Sequence, residues 1–271
     1  MRASHPTQVD CALHVAQNAL IRQSREDARG LVNDHGWGLG WVRDGELGRE
    51  REVGPADASA GYRRDAARVS ATTALAHVRR ATVGEPAREN THPFVHGRSM
   101  LAHNGHIGAF DAIRDELLAE MTPEHREAIE GTTDSEHFFH LLLSRRARAP
   151  RKPIDEILGD AIRDVTAMVR AADPDAEVAL NVLWAVGEEM VGSRVGRSLW
   201  CRERDRPHGG FVCGDLHPEP EAVEAEDYRA AVVASERITG EDWREVPEAT
   251  VFGVDGNYRL TFEPLGLEEA A

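Results

Sequence analysis

A block of helical pattern in the middle of the chain, with strand pattern on both sides of it, does most to limit the fold. Between residues 110 and 172 apolar side chains recur every three or four positions. Phe110, Ile113, Leu117 and Leu118 mark one amphipathic helix; Phe138, Leu141 and Leu142 mark another. Ile157, Leu158, Ala161, Ile162, Val165 and Val169 form the inward stripe of a long helix over 154–172. Pro123 opens a short helix that stops before Gly131, and Thr132-Thr133-Asp134-Ser135-Glu136 reads as a helix start. Before the block, strands are expected at 37–42, 75–80 and 99–103, with 43–68 a hairpin or surface excursion. The glycines of 37–42 imply close backbone packing there. After the block the texture turns to β at 178–186, 190–201, 211–213, 230–234, 250–254 and 258–262. Short strands separated by Gly and Pro fit a second antiparallel sheet. The expected fold is therefore α+β, two sheets flanked by helices in a single domain over 1–271. Residues 1–8 are polar, carry Pro6 and read as a lead-in to a helix in which Val9, Ala12, Leu13, Ala16 and Leu20 share a face and Cys11 is enclosed.

Charge and cysteine content exclude several function classes. The net charge of −15 argues against a nucleic-acid partner, which needs a basic surface. No apolar run approaches membrane-spanning length, so no membrane partner is expected. Cys11, Cys201 and Cys213 are odd in number and widely spaced, which argues against a disulfide framework and points to a reducing cytoplasm. Lys152 is the single lysine, a bias that suggests a GC-rich coding sequence.

Chemistry-bearing residues gather at 75–110, where two strands flank a long polar loop. Arg79 ends the first strand and can grip a carboxylate with two parallel hydrogen bonds, or hold a structural salt bridge. Asn104 and Gly105 can aim a side-chain NH2 and a main-chain N–H at one oxyanion; the commoner meaning of Asn-Gly is a hairpin turn. Asp134 can cap a helix or hold an ammonium group. His137 and His140 lack an HExxH pattern, and Cys201, His208, Cys213 and His217 are spaced unlike a zinc site, so no metal is expected.

Taken in order, His77-Val78-Arg79-Arg80-Ala81-Thr82, Asn90-Thr91-His92-Pro93-Phe94, His103-Asn104-Gly105 and Thr133-Asp134-Ser135-Glu136 resemble the class II glutamine amidotransferases, which are N-terminal nucleophile hydrolases. Gly36-Trp37-Gly38, Arg197-Ser198-Leu199-Trp200, Ala234-Ser235-Glu236 and Trp243-Arg244-Glu245-Val246-Pro247 extend the resemblance over essentially the whole chain. They look like the stand-alone branch that includes γ-glutamyl hydrolases of thiol metabolism. The resemblance implies a four-layer αββα sandwich. It also implies that Arg79 binds the glutamine α-carboxylate, Asp134 the α-amino group, and Asn104 with Gly105 the oxyanion, with Thr82 and His92 on the substrate-binding side. No cofactor is implied. The chain departs from the family at Arg80 and Val83, where members often carry Trp and His.

A larger departure concerns the nucleophile. The family attacks with a cysteine exposed as residue one, whose own α-amine acts as base. Here Arg2 follows Met1, and Cys11 is expected inside a helix rather than at the head of a strand. We therefore expect the domain to lack its first strand, and a productive form to begin upstream with a Met-Cys-Arg-like strand. Such an enzyme would release glutamate from glutamine or a γ-glutamyl amide through a thioester, and ammonia would go to a separate partner subunit or simply be released. The alternative is a catalytically silent relative that binds glutamine-like ligands or serves as a subunit.

Overall fold

The computed structural model describes residues 1–205 and 227–267 and stacks two antiparallel sheets face to face, with helices over both outer faces. In chain order the strands are β1 (Arg2–Gln8), β2 (Gly36–Arg43), β3 (Glu46–Glu52), β4 (Ser70–Arg79), β5 (Phe94–His96), β6 (Ser99–Ile107), β7 (Val178–Val186), β8 (Glu189–Arg194), β9 (Trp200–Arg204), β10 (Ala230–Ala234), β11 (Arg244–Glu245), β12 (Thr250–Val254) and β13 (Leu260–Pro264). The helices are α1 (Leu20–Arg25), α2 (Ala60–Arg68), α3 (Phe110–Ala119), α4 (Pro123–Glu127), α5 (Asp134–Arg148) and α6 (Ile154–Ala172). One sheet runs β11-β9-β10-β1-β4-β2-β3 and the other β13-β12-β8-β7-β6-β5. This is the four-layer αββα architecture, with a core in each interlayer.

Each core follows from the sequence pattern. Leu117, Phe138, Leu142, Leu158, Ile162 and Val165 pack onto Leu180, Val182 and Trp184 of β7. Burying side chains of this size contributes about 1.5–3 kcal/mol each. Between the sheets, Leu75 meets Met100, Met190 and Phe252. On the far face, Leu13, Ile21 and Tyr62 cover Trp37 and Leu39 of β2. No helix among the described residues is long and apolar enough to cross a membrane.

Several expectations are revised. The polar lead-in is a strand: β1 lies inside its sheet, with Arg2 opposite Thr73 and Ala231. Its polar side chains are satisfied at long range, Arg2 Nη1 donating to Val254 O at 2.6 Å and Thr7 bonding the Tyr228 hydroxyl at 3.0 Å. The helix expected after it breaks into a single π-helical turn at Cys11–Val15 and α1, because Ala16 and Ala19 adopt extended backbone. Residues 43–68 hold both a hairpin strand and α2; Asp44 and Gly45 make the turn with φ of 52° and 79°, the left-handed pair that tight hairpins require. The strand expected at 190–201 splits between the two sheets as β8 and β9, with Gly196 turning the chain at φ 83°. The strand expected at 211–213 lies outside the described residues.

Candidate active site

Strands β4 and β6 bring the polar residues together, and the loop between them returns across β2. Gly38 permits that crossing: a Cβ there would sit 2.0 Å from His92 O. His92 consequently stacks on His77 at 4.3 Å between ring centroids and meets Phe94 edge-on at 4.6 Å. Burial holds both imidazoles neutral, His92 well below its ordinary range and His77 lowered to about 3.

Arg79 is buried in the loop it precedes. Its Nη2 donates to Val83 O at 3.0 Å and Gly84 O at 3.1 Å, and its Nη1 to Glu85 O at 3.3 Å. Among the described residues no carboxylate lies within ion-pair distance of it. Burial lowers its pKa, and the nearby charge of Asp134 offsets part of that loss.

Asp134 opens α5, yet the helix cap is Thr133, whose hydroxyl accepts from Glu136 N–H at 3.2 Å. Asp134 Oδ2 accepts from Ile107 N–H at 2.9 Å and Oδ1 from Ser135 N–H at 2.7 Å, while His106 Nδ1 stands 3.6 Å from Oδ2. Burial alone would raise this carboxyl, but His106, His103 and the two main-chain donors overcome it and hold the pKa at about 2. His103 links the same group to β7. Its Nε2 lies 2.9 Å from Ala179 O, an acceptor only, so Nε2 carries the proton. Burial keeps the ring neutral, and Nδ1 then accepts from the Ser135 hydroxyl at 2.8 Å.

Asn104 and Gly105 lie within β6, so they make no hairpin turn. The Asn104 side chain is exposed and makes no hydrogen bond to the protein among the described residues. Gly105 is needed because a Cβ would sit 1.9 Å from Ala179 O. Its N–H is free. Ile107 N–H turns away from β7 to Asp134, and the two-residue period of a strand turns Gly105 N–H the same way. Leu180, opposite Gly105 in register, donates to Val195 O instead, and β5 pairs with β6 only as far as Leu101. An unpaired main-chain N–H beside an unpaired carboxamide is a donor pair suited to an oxyanion.

Arg79, Thr82, His92, Asn104, Gly105 and Asp134 all line one polar cavity of about 100 Å³. His103, Ser135 and Arg197 line it too, and sequence reasoning gave them no role. Arg197 is held in place by Asn181, whose Nδ2 donates to Arg197 O and Ser198 O at 3.0 Å each. His106 was also missed, though the two-residue period puts it on the Asn104 face of β6. A second cavity of about 240 Å³ adjoins the first, shares His77, Asn104 and Arg197 with it, and includes Met1 in its wall. The Met1 amine donates to Ala74 O at 2.9 Å, and burial lowers its pKa to about 5. Cys11 is disulfide-bonded, which the odd number and wide spacing of the cysteines argued against. Cys201 is buried between the sheets with its thiol pKa raised by burial. His137 Nδ1 bonds Thr133 O at 2.8 Å, and among the described residues no three His, Cys, Asp or Glu side chains are arranged to hold a metal. His208, Cys213 and His217 lie outside the described residues.

The sequence profile of the class II glutamine amidotransferases matches residues 17–268. A probable glutamine amidotransferase of Saccharomyces cerevisiae is 27% identical over 93% of this chain and 80% of that protein. A γ-glutamyl-hercynylcysteine sulfoxide hydrolase of Mycolicibacterium smegmatis is 30% identical over 70% of this chain and 74% of that protein. Among solved structures, a class II glutamine aminotransferase-domain protein from Silicibacter pomeroyi superposes with a TM-score of 0.63 at 23% identity, covering 84% of this chain and 90% of its own. At that identity the superposition speaks for the fold alone.

Proposed function

The chain belongs to the class II glutamine amidotransferases, and from that premise we propose that it binds the γ-glutamyl group of glutamine or a γ-glutamyl amide and supports hydrolysis to glutamate. Arg79 would take the α-carboxylate and Asp134 the α-ammonium, with Thr82 and His92 closing the pocket between them. The observation that carries this reading is the unpaired Gly105 N–H beside the unpaired Asn104 side chain, in the cavity that also holds those two charges.

The attacking group in this reaction is a thiolate, and neither Cys11 nor Cys201 supplies one in the cavity. We assign attack to an N-terminal cysteine in the place Met1 occupies, where the neighbouring amine is neutral at pH 7 and able to take the thiol proton. Attack on the amide carbon would form a tetrahedral oxyanion facing Asn104 and Gly105. The C–N bond then breaks, the amine leaves with a proton, and water hydrolyses the thioester. With glutamine as substrate the ammonia would pass to a separate acceptor protein; with a larger γ-glutamyl amide no acceptor is needed. The cytoplasmic setting read from the sequence assumed free thiols, and the disulfide at Cys11 removes that support.

The test inserts a cysteine between Met1 and Arg2, so that removal of the initiator leaves cysteine at the head of β1. That protein should release glutamate from glutamine or a γ-glutamyl amide, and the 271-residue chain should bind the same compounds without turnover. Absence of both binding and glutamate release would refute the reading.

A further inference from the structure

The geometry points to a γ-glutamyl amide whose amine carries an apolar, ring-sized group as the substrate class of this site. The inference rests on the glutamyl reading above and goes beyond it on the leaving-group side. The two adjoining cavities differ in character. The one of about 100 Å³ is walled by charged and polar side chains and suits a glutamyl head group. The one of about 240 Å³ has a mostly apolar wall that includes Leu20, Leu39, Leu75, Leu199, Val233 and Ile238, with Asp27, Arg29, Arg197 and Arg204 at its polar part. Asn104 stands in both walls, so an amide carbonyl at Asn104 has its glutamyl arm in the first cavity and its nitrogen substituent in the second.

Several polar side chains on the larger wall are already engaged with the protein. Asn181 donates to Arg197 O and Ser198 O and accepts from Val195 N–H at 2.9 Å. Ser198 donates to Ser235 O at 3.0 Å. Glu236 accepts from Asn18 Nδ2 at 2.9 Å and Ala28 N–H at 2.7 Å. Gln23 donates to Asn18 O at 2.8 Å. With those groups engaged, the wall offers a guest mainly hydrocarbon, and a small apolar cavity of about 150 Å³ already suffices for a benzene ring. Ammonia, the leaving group of glutamine, would leave that space without a complement.

Titration calorimetry on the 271-residue chain at pH 7 tests this with L-glutamine and L-glutamic acid γ-anilide, and requires no turnover. The anilide should bind at least about tenfold more tightly than glutamine, because burying the ring removes apolar surface from water. Val233→Phe, which fills the cavity from β10, should bring the anilide to the affinity of glutamine and leave glutamine unchanged. If that variant melts early, Ala76→Leu narrows the cavity from β4 and should act in the same direction. An anilide that binds no more tightly than glutamine overturns the inference and leaves the glutamyl reading standing. Binding of neither compound overturns both.

Discussion

Replacing Asp134 with asparagine should cost stability in a pH-dependent way that isolates the carboxylate. In the folded protein this carboxyl has its pKa lowered from 3.8 to about 2. A shift of that size corresponds to about 2 kcal/mol of extra stability from the ionised form. The folded carboxyl holds its proton less tightly than the unfolded one. The contribution is therefore complete above pH 3.8 and is lost as the pH falls to about 2. A carboxamide at this position would have one acceptor oxygen where the carboxylate has two. Its NH2 must then face either Ile107 N–H or Ser135 N–H, both of which now donate to the carboxylate. A buried donor left facing a donor costs about 1–3 kcal/mol more. Asp134→Asn should therefore lose about 3–5 kcal/mol at pH 7, and about 2 kcal/mol of that gap should close by pH 2. Urea unfolding followed by tryptophan fluorescence at pH 7, 4 and 2 measures both quantities. A variant within about 0.5 kcal/mol of the parent at pH 7, or a gap that does not narrow in acid, would refute the hydrogen-bonding account of this residue.

Gly105→Ala should lower the melting temperature markedly, because the added methyl meets Ala179 O at 1.9 Å and both atoms belong to a rigid strand pair; calorimetry against Gly45→Ala, where nothing lies within 4 Å, separates crowding from backbone strain. Asn104→Ala should leave stability within about 0.5 kcal/mol, since the side chain is exposed and unbonded, yet slow glutamate release by the cysteine-bearing protein about 100- to 1,000-fold. His106, whose pKa Asp134 raises, should compete in its protonated form with the substrate ammonium for that carboxylate. Glutamine affinity should therefore rise with pH as His106 loses its proton, and His106→Ala should flatten the profile measured by titration calorimetry.

How much of this was legible in the sequence depends on where each residue finds its partners. The helical block was readable because α3 and α6 bury stripes at the helical period against one sheet, although α5 is buried on all sides from Asp134 to Ser144. β1 was not, since it carries only one buried apolar side chain, Ala3, and its polar groups are satisfied by Val254, Asp255 and Tyr228, more than two hundred residues away. β8 and β9 read as one strand in sequence and belong to different sheets, a division made by the Gly196 turn and by Asn181 bonding the loop carbonyls. The six expected site residues could be chosen by motif, and they do share a cavity. The His103–Ser135 contact could not be chosen that way, because it depends on α5 meeting β6 side-on, which neither local pattern contains.

The charges in that cavity are held in an unusual arrangement, and it bears on which ligand fits. Arg79 and Asp134 line the same space, yet the guanidinium bonds three main-chain carbonyls and the carboxylate bonds two main-chain N–H groups. Had the two side chains formed an ion pair with each other, a ligand would have to break it, and the desolvated partners would resist. Kept apart by backbone dipoles, each charge is desolvated; Arg79 has no carboxylate partner among the described residues, and Asp134 faces only the half-exposed His106 at 3.6 Å, whose charge is lost when the ring gives up its proton. An α-amino acid head group brings a carboxylate and an ammonium on a single carbon, and can complement both at once. A ligand with only one of the two charges satisfies one buried group and leaves the other as it was. Selectivity for a zwitterionic head group would then follow from the way the loop at Val83–Glu85 and the start of α5 hold these two side chains, before any contact with the amide that is to be cleaved.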